Sequence, residues 1–338
     1  MEETTIALKE QYALFRKENP KVRIRDAAKQ LGVSEAELVA VSDTVIRLQD
    51  DVKDILKEVP SLGYVMALTR NDFAVHERKG EYRKVGINGH VGLVVNPDID
   101  LRLFLHAWKF AFAVVEGDRK SLQFFGKDGE AIHKIYLQET SNVDAYNELV
   151  NKFRTTDNNQ PLEIEAPAAR AIEKVDNDID SQGFQQAWLA LKDTHDFHSL
   201  LRNYGVTRTQ AMRLAPEGHA FKMDLSTLKT ILEQVSAREL EIMVFIGNKG
   251  CIQIHTGYAK KLLQTGPWFN VLDPEFNMHL REDAIENIWV VKKPTDDGIV
   301  TSIEVYDAVG DIIVQFFGKR KPGLPEREDW RQVLADHT

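Results

Sequence analysis

The chain has 338 residues, of which 43% are hydrophobic, so it can bury sizeable cores and is longer than one average domain. Its formal net charge is −9, which disfavours general binding to nucleic acid or to anionic membranes and leaves room only for a local basic pocket. The single cysteine, Cys251, excludes an intramolecular disulfide and a cysteine-rich metal site, and its neighbours Ile252 and Ile254 give it the setting of a buried strand thiol.

The first residues lack a basic region followed by an apolar one, and no apolar run reaches the length of a membrane span, so a cytoplasmic protein without membrane insertion is expected. Residues 4–18 and 24–57 read as helical. Within the second region, Leu31-Gly32-Val33-Ser34 followed by Glu37 combines a turn with a capping box, the pattern of a helix–turn–helix. Glu35, Glu37, Asp43, Asp50 and Asp51 follow, and these acids would repel phosphates, so no nucleic-acid partner is expected.

From Gly63 to about Tyr136, short β-rich runs alternate with turn residues. The runs are Tyr64–Thr69, Phe73–Glu77, Gly92–Asn96, Leu101–Leu105, Ala111–Glu116, Ser121–Phe125 and Ala131–Tyr136, which predicts an antiparallel meander. A helix near 142–154 closes this half. Residues 156–182, turn-rich and then acidic, read as a linker between an N-terminal repeat (1–155) and a C-terminal repeat (183–338).

The division rests on an internal repeat. Leu31-Gly32-Val33-Ser34 matches Tyr204-Gly205-Val206-Thr207; Asn71 and Gly80 match Asn248 and Gly257; Asn96-Pro97 corresponds to Asp273-Pro274; Ser121 and Gly129 match Ser302 and Gly310. The offset grows from 173 between Gly32 and Gly205 to 177 between Gly80 and Gly257 and 181 between Gly129 and Gly310, with a short insertion near Pro294–Asp297. Collinear matches of this extent indicate tandem duplication.

Differences between the copies mark candidate chemistry. His195 and His198 lie three residues apart in a helical pattern and fall opposite Val22 and Arg25, so the histidine pair is private to the second copy. Imidazoles at this spacing serve as solvated or capping residues or as metal ligands, and spacing does not choose. Lys292-Lys293 and Lys319-Arg320-Lys321 also belong to the second copy, with Val115 and Glu116 standing opposite the first pair. Arg102 sits in the alternating run Asp100–Leu105 and needs an anionic partner, whether a carboxylate or a ligand acid. His76 lies on a predicted strand opposite Gln253, a position where a hydrogen-bonded structural role is the commoner one. No GxSxG, P-loop, HExxH or dinucleotide-binding glycine set is present.

Taken together, Arg70–Glu77, Asn88–Leu93, Asp100–Leu105, Asp193–Phe197, Glu241–Cys251 and Lys293–Gly298 make the chain similar to the cytoplasmic haemin-binding and haemin-degrading proteins of bacterial haem-uptake systems, the HemS/HmuS/ChuS type. The resemblance spans nearly the whole chain. It implies an α+β fold of two similar halves, each a large antiparallel sheet with flanking helices. It also implies haem b as ligand or substrate, His195 as axial iron ligand, and Arg102 reaching the opposite face from the first half. Met243, Phe245, Lys293 and Arg320 match positions that touch the ring or its propionates. Phe317 stands where a Tyr-Gly-x-Arg tail has tyrosine, which removes a hydroxyl, and His198 stands where relatives carry phenylalanine; His198 and His76 remain further candidate haem contacts. The function implied is oxidative haem degradation with release of iron, given an external reductant and O₂ or peroxide, or delivery of intact haem to a haem oxygenase. A haem importer and a reductase are the other implied partners.

Overall fold

The computed structural model describes residues 2–156, 161–167, 169–170, 172–321 and 323–337; the turn residues 157–160 of the expected linker lie outside the described residues. In chain order the first run comprises α1 (Glu2–Glu18), α2 (Ile24–Leu31), α3 (Glu35–Ala40), β1 (Val45–Arg47), α4 (Val52–Glu58), β2 (Tyr64–Arg70), β3 (Ala74–Glu81), β4 (Gly86–Asn88), β5 (Val91–Val95), β6 (Asp100–Phe104), β7 (Trp108–Glu116), β8 (Arg119–Gly126), β9 (Ala131–Leu137) and α5 (Val143–Phe153). The second comprises α6 (Ser181–Leu189), α7 (Asp196–Tyr204), α8 (Arg208–Arg213), β10 (Ala220–Met223), α9 (Leu225–Ala237), β11 (Ile242–Gly247), β12 (Cys251–Gly257), β13 (Leu262–Thr265), β14 (Trp268–Leu272), β15 (Phe276–Arg281), β16 (Asn287–Thr295), β17 (Gly298–Tyr306), β18 (Ile312–Gly318) and α10 (Glu328–Ala335). From α2 and from α7 onward the order of elements is the same, as a tandem duplication requires.

Two nine-stranded antiparallel sheets result, ordered β1-β7-β8-β9-β2-β3-β15-β14-β13 and β10-β16-β17-β18-β11-β12-β6-β5-β4. The single meander expected over 63–136 is therefore divided: β2, β3 and β7–β9 stand in one sheet and β4–β6 in the other. Local alternation fixes which face a residue takes but not which strand lies beside it. The helix expected over 24–57 also breaks. Its β-branched Val45 and Ile46 pair with Val114 and Ala113 of β7 instead.

Two compact units are formed, one from Met1–Arg70, Glu77–Ala168 and Gly247–Gln253, the other from Asn71–His76, Ala169–Ile246 and Ile254–Thr338. In the first, Ile55, Leu56, Leu149 and Phe153 of α4 and α5 pack with Leu122, Phe124 and Ile135, while Ala36 and Val39 of α3 pack with Phe110, Phe112 and Phe125. In the second, Ile231, Leu232, Trp330 and Val333 of α9 and α10 pack with Ile303, Val305 and Phe316, while Trp188, Phe197 and Met212 of α6–α8 pack with Trp289, Val291 and Tyr306. Among the described residues, no helix is long and apolar enough to cross a membrane.

The repeated sequence signatures are repeated interactions. Gly32 and Gly205 end α2 and α7 in left-handed conformations, φ 70° and 63°, where a side chain would be strained. Ser34 Oγ accepts the Glu37 N–H while the Glu37 carboxylate accepts the Ser34 N–H at 2.8 Å; Thr207 and Gln210 repeat the capping box at α8. Asn71 and Asn248 each close a β-hairpin turn. The Asn248 carboxamide oxygen accepts from Gly250 and Cys251 N–H, and its NH₂ donates to Arg70 O and Ile132 O, at 2.8–3.1 Å. Asn248→Ala therefore strands several backbone groups at once. It is expected to lower unfolding stability by about 2 kcal/mol, read as a shift in urea midpoint at unchanged m-value; an unshifted midpoint would contradict the role.

Candidate functional site

In β11, Ile242, Val244 and Ile246 point into the core, so Met243 and Phe245 take the opposite face. The strand β18 lies beside it with Phe317 opposite Met243 and Gln315 opposite Phe245, and the Phe245 and Phe317 rings meet at 4.9 Å. These three side chains form an apolar floor, soft and aromatic, suited to a flat hydrophobic ligand. Arg320, just past β18, lies 3.7 Å from Asp297 and adds a cation to the same end of the sheet.

His195 occupies the turn that leads into α7 and is highly exposed, its side chain retaining 88% of its accessible surface. Asp193 holds it from two sides: its Oδ1 accepts the His195 backbone N–H at 2.8 Å and stands 2.6 Å from Nδ1. The His195 backbone bond, with the imidazole and Arg320 helping, keeps the Asp193 carboxyl below its ordinary range. Nδ1 is thus engaged and Nε2 is the nitrogen left open, the arrangement in which a carboxylate behind the ring orients an imidazole for a metal. The turn is anchored to the β16–β17 hairpin: Asp296 N–H donates to Lys192 O at 2.9 Å, and Trp188 Nε1 donates to Lys292 O at 3.0 Å. Asp296 belongs to the insertion that shifts the repeat register, so the second copy's extra residues hold its private histidine.

Behind this turn lies a buried charge cluster that the sequence pattern did not single out. Glu304 is fully buried and accepts from Lys293 Nζ at 2.5 Å, from Arg208 Nε at 3.0 Å, from Ser302 Oγ at 3.1 Å and from the Tyr306 hydroxyl. Burial alone would raise its carboxyl; Arg208 and Lys293 reverse that and hold it well below the usual carboxylate range. The Phe197 ring packs against both cations, 4.4 Å from Lys293 Nζ and 5.4 Å from the Arg208 guanidinium. Two cations on one carboxylate leave a positive excess. Partial burial, with that excess and Arg202, holds His198 below its ordinary pKa. Lys293 is itself buried, with its ammonium given to Glu304, and so acts on the face through this cluster. The signal that would have found the cluster is the charge change at repeat-equivalent positions, Glu35 to Arg208, Glu116 to Lys293 and Gln123 to Glu304.

Of the remaining candidates, His76 is fully buried against the Phe276 ring at 5.0 Å and is a core residue. Arg102 stands on the half-exposed face of β6, paired with Asp100, and opposite Leu93 of β5. Exposed Val91 and Leu93 flank it, so its guanidinium rises from an apolar surface.

These features define a class: a duplicated α+β protein that presents an oriented imidazole beside an apolar, cation-edged sheet face. Comparison with known proteins places it further. The family described as the haemin-degrading HemS.ChuX domain matches residues 32–153 and again 205–337. The chain is 39% identical over 336 residues to the hemin transport protein HemS of Yersinia enterocolitica, covering 96% of each. Among solved structures it is similar to apo-PhuS, a heme-binding protein from Pseudomonas aeruginosa (47% identity, TM-score 0.96, 99% of each chain). It is also similar to ChuS, an E. coli heme oxygenase (39% identity, TM-score 0.85, 93% of this chain and 95% of that one). The chain belongs to the HemS/ChuX haemin-degrading family.

Glu304 makes the pH dependence of this region testable. Its folded pKa is depressed, so its contribution is complete above the unfolded carboxylate value near ~4.3 and is lost as pH falls below it. Glu304→Gln leaves two buried cations poorly opposed and is expected to cost about 3 kcal/mol at pH 7, a gap that narrows towards pH 3. Urea unfolding of both proteins at the two pH values measures it; a gap independent of pH would show that Glu304 is not ionised in the native state.

Proposed function

We propose that the chain binds haem through His195 Nε2 and degrades it oxidatively to release iron. The observation that carries the reading is the His195 turn, with an exposed imidazole whose Nδ1 is fixed by Asp193 in the unit that also presents Met243, Phe245, Phe317 and Arg320. A haem is a flat apolar disc with two carboxylates, and this donor set fits it: an imidazole for the iron, thioether and aromatic side chains for the ring, and a guanidinium for a propionate. His198, whose pKa is lowered by burial and by the cluster behind it, is suited to line the ring or to replace His195 as ligand. The positive excess around Glu304 favours an anionic ligand over a neutral one. Arg102 enters on the family resemblance; it would exchange Asp100 for a hydrogen bond to the iron's remaining ligand.

The bound iron supplies the redox chemistry when a reductant and O₂ or peroxide are provided from outside; the protein's part is to fix the ring and exclude alternatives. PhuS and ChuS, described as heme-binding and as a heme oxygenase, support this reading of their relative. The hemin transport description of HemS favours a second one, carriage of intact haem in the cytoplasm between an importer and a haem oxygenase.

Haemin titration followed at the Soret band tests the ligand. His195→Ala is expected to weaken binding at least tenfold or to displace the band, whereas His198→Ala does neither. A wild-type spectrum in both His195→Ala and the double variant would refute the assignment. Chemistry is tested by adding reductant and O₂, with catalase, to the haem-loaded protein. Loss of the Soret band with release of iron is the expected result, and intact haem under all conditions would leave only carriage.

A further inference from the structure

The first repeat has a cavity of about 790 Å³ at the position that the second repeat uses for its apolar floor. Met66 and Leu68 of β2 point away from the core, as Met243 and Phe245 do, and Tyr136 of β9 lies opposite Met66 as Phe317 lies opposite Met243. All three line the cavity. What differs is the edge. Val22 stands in place of His195 and Arg25 in place of His198, so no imidazole is offered, and Arg70 stands where the second copy has Gly247. Of the lining residues, seven are arginine or lysine and three are glutamate. That is a strong local excess in a protein of net charge −9. Burial, with Arg25 and Arg23 nearby and against the pull of Glu35 and Asp26, lowers the Arg70 pKa to about 10.

We propose that this cavity is a second binding site, specific for a flat, metal-free anion of the tetrapyrrole dicarboxylate class. The apolar floor takes the ring, the arginines take the carboxylates, and the absence of an axial donor removes the advantage that iron confers in the second repeat. The choice of a tetrapyrrole rests on reading the second-repeat face as a haem site; the cationic cavity does not.

The test uses the full chain and two probes, iron-free protoporphyrin IX and haemin, each titrated optically. Arg23→Glu/Arg25→Glu is expected to weaken protoporphyrin binding at least tenfold and to leave haemin binding unchanged, while Arg320→Glu does the reverse. Arg119→Glu, at the exposed rim of the cavity, serves as a second variant should the double one fail to fold, and is expected to weaken protoporphyrin binding about threefold or more. The proposal is overturned if protoporphyrin does not bind, if it is lost in Arg320→Glu but kept in the cavity variants, or if haemin binding falls in parallel with it in those variants. Protoporphyrin binding at the cavity with no haemin binding anywhere would instead overturn the haem reading and leave the cavity standing.

Discussion

Glu304 is the constraint on which the second repeat's face depends. Its one carboxylate joins the start of α8 through Arg208, strand β16 through Lys293 and strand β17 through Ser302 and Tyr306. Phe197, the second residue of α7, is pressed against the same two cations, so the helix that begins immediately after His195 is seated on the cluster. A buried ion group of this kind contributes little net stability against an apolar replacement, because desolvation offsets most of the Coulomb gain. Its effect is geometric: an off-register α8 would take Arg208 from Glu304, and an off-register α7 would take the Phe197 ring from both cations. The cluster thus converts an electrostatic requirement into the position of a helix start, and the imidazole turn inherits that position.

The first repeat solves the same packing problem with opposite signs. Glu35 at the start of α3 meets Lys134 of β9 at 2.5 Å, where the second copy sets Arg208 at the start of α8 against Glu304 of β17. Helix and sheet are joined by an ion pair in both, yet the polarity is inverted. The inversion leaves the first copy's lining with arginines at positions 23, 25 and 70, and the second copy with imidazoles beside a positive cluster. Duplication preserved the caps and turns, which act through the backbone, and allowed divergence in charges, which act through side chains at the exposed face.

Local features were legible in the sequence because they are local. The Gly-Val-Ser/Thr segments, the capping boxes and the asparagine turns each need only a few neighbouring residues, and each is found in both copies. Strand positions follow from alternation, except β1 (Val45–Arg47), which lies inside a helical pattern, and β4 (Gly86–Asn88), whose three residues include two turn-formers. The membership of strands in sheets was not legible. Nothing in β4–β6 distinguishes a neighbour ten residues away from one in another part of the chain. The Glu304 cluster is legible only in part: the charge changes at 208, 293 and 304 against the first copy mark the residues, but not that they meet. Lys293, in a pair that reads as surface cations or as a contact for an anionic ligand, is buried against a carboxylate.

That burial bears on how the face is charged. A lysine donated directly to a propionate would leave Glu304 with Arg208 alone and bring a flexible, strongly hydrated ammonium to the ligand. Holding it inside instead keeps the positive potential while removing the entropy cost of ordering a surface chain on binding. Arg320 is less buried than Lys293, and its planar guanidinium, of a shape that matches a carboxylate, is already restrained by Asp297. Asp297 also accepts the Gly323 N–H at 2.9 Å, tying the segment after β18 to the β16–β17 hairpin. The same four-residue insertion therefore orders the imidazole turn through Asp296 and the guanidinium through Asp297. A duplicated fold ordered the edge of one sheet by lengthening one hairpin, with the core of the repeat left as it was.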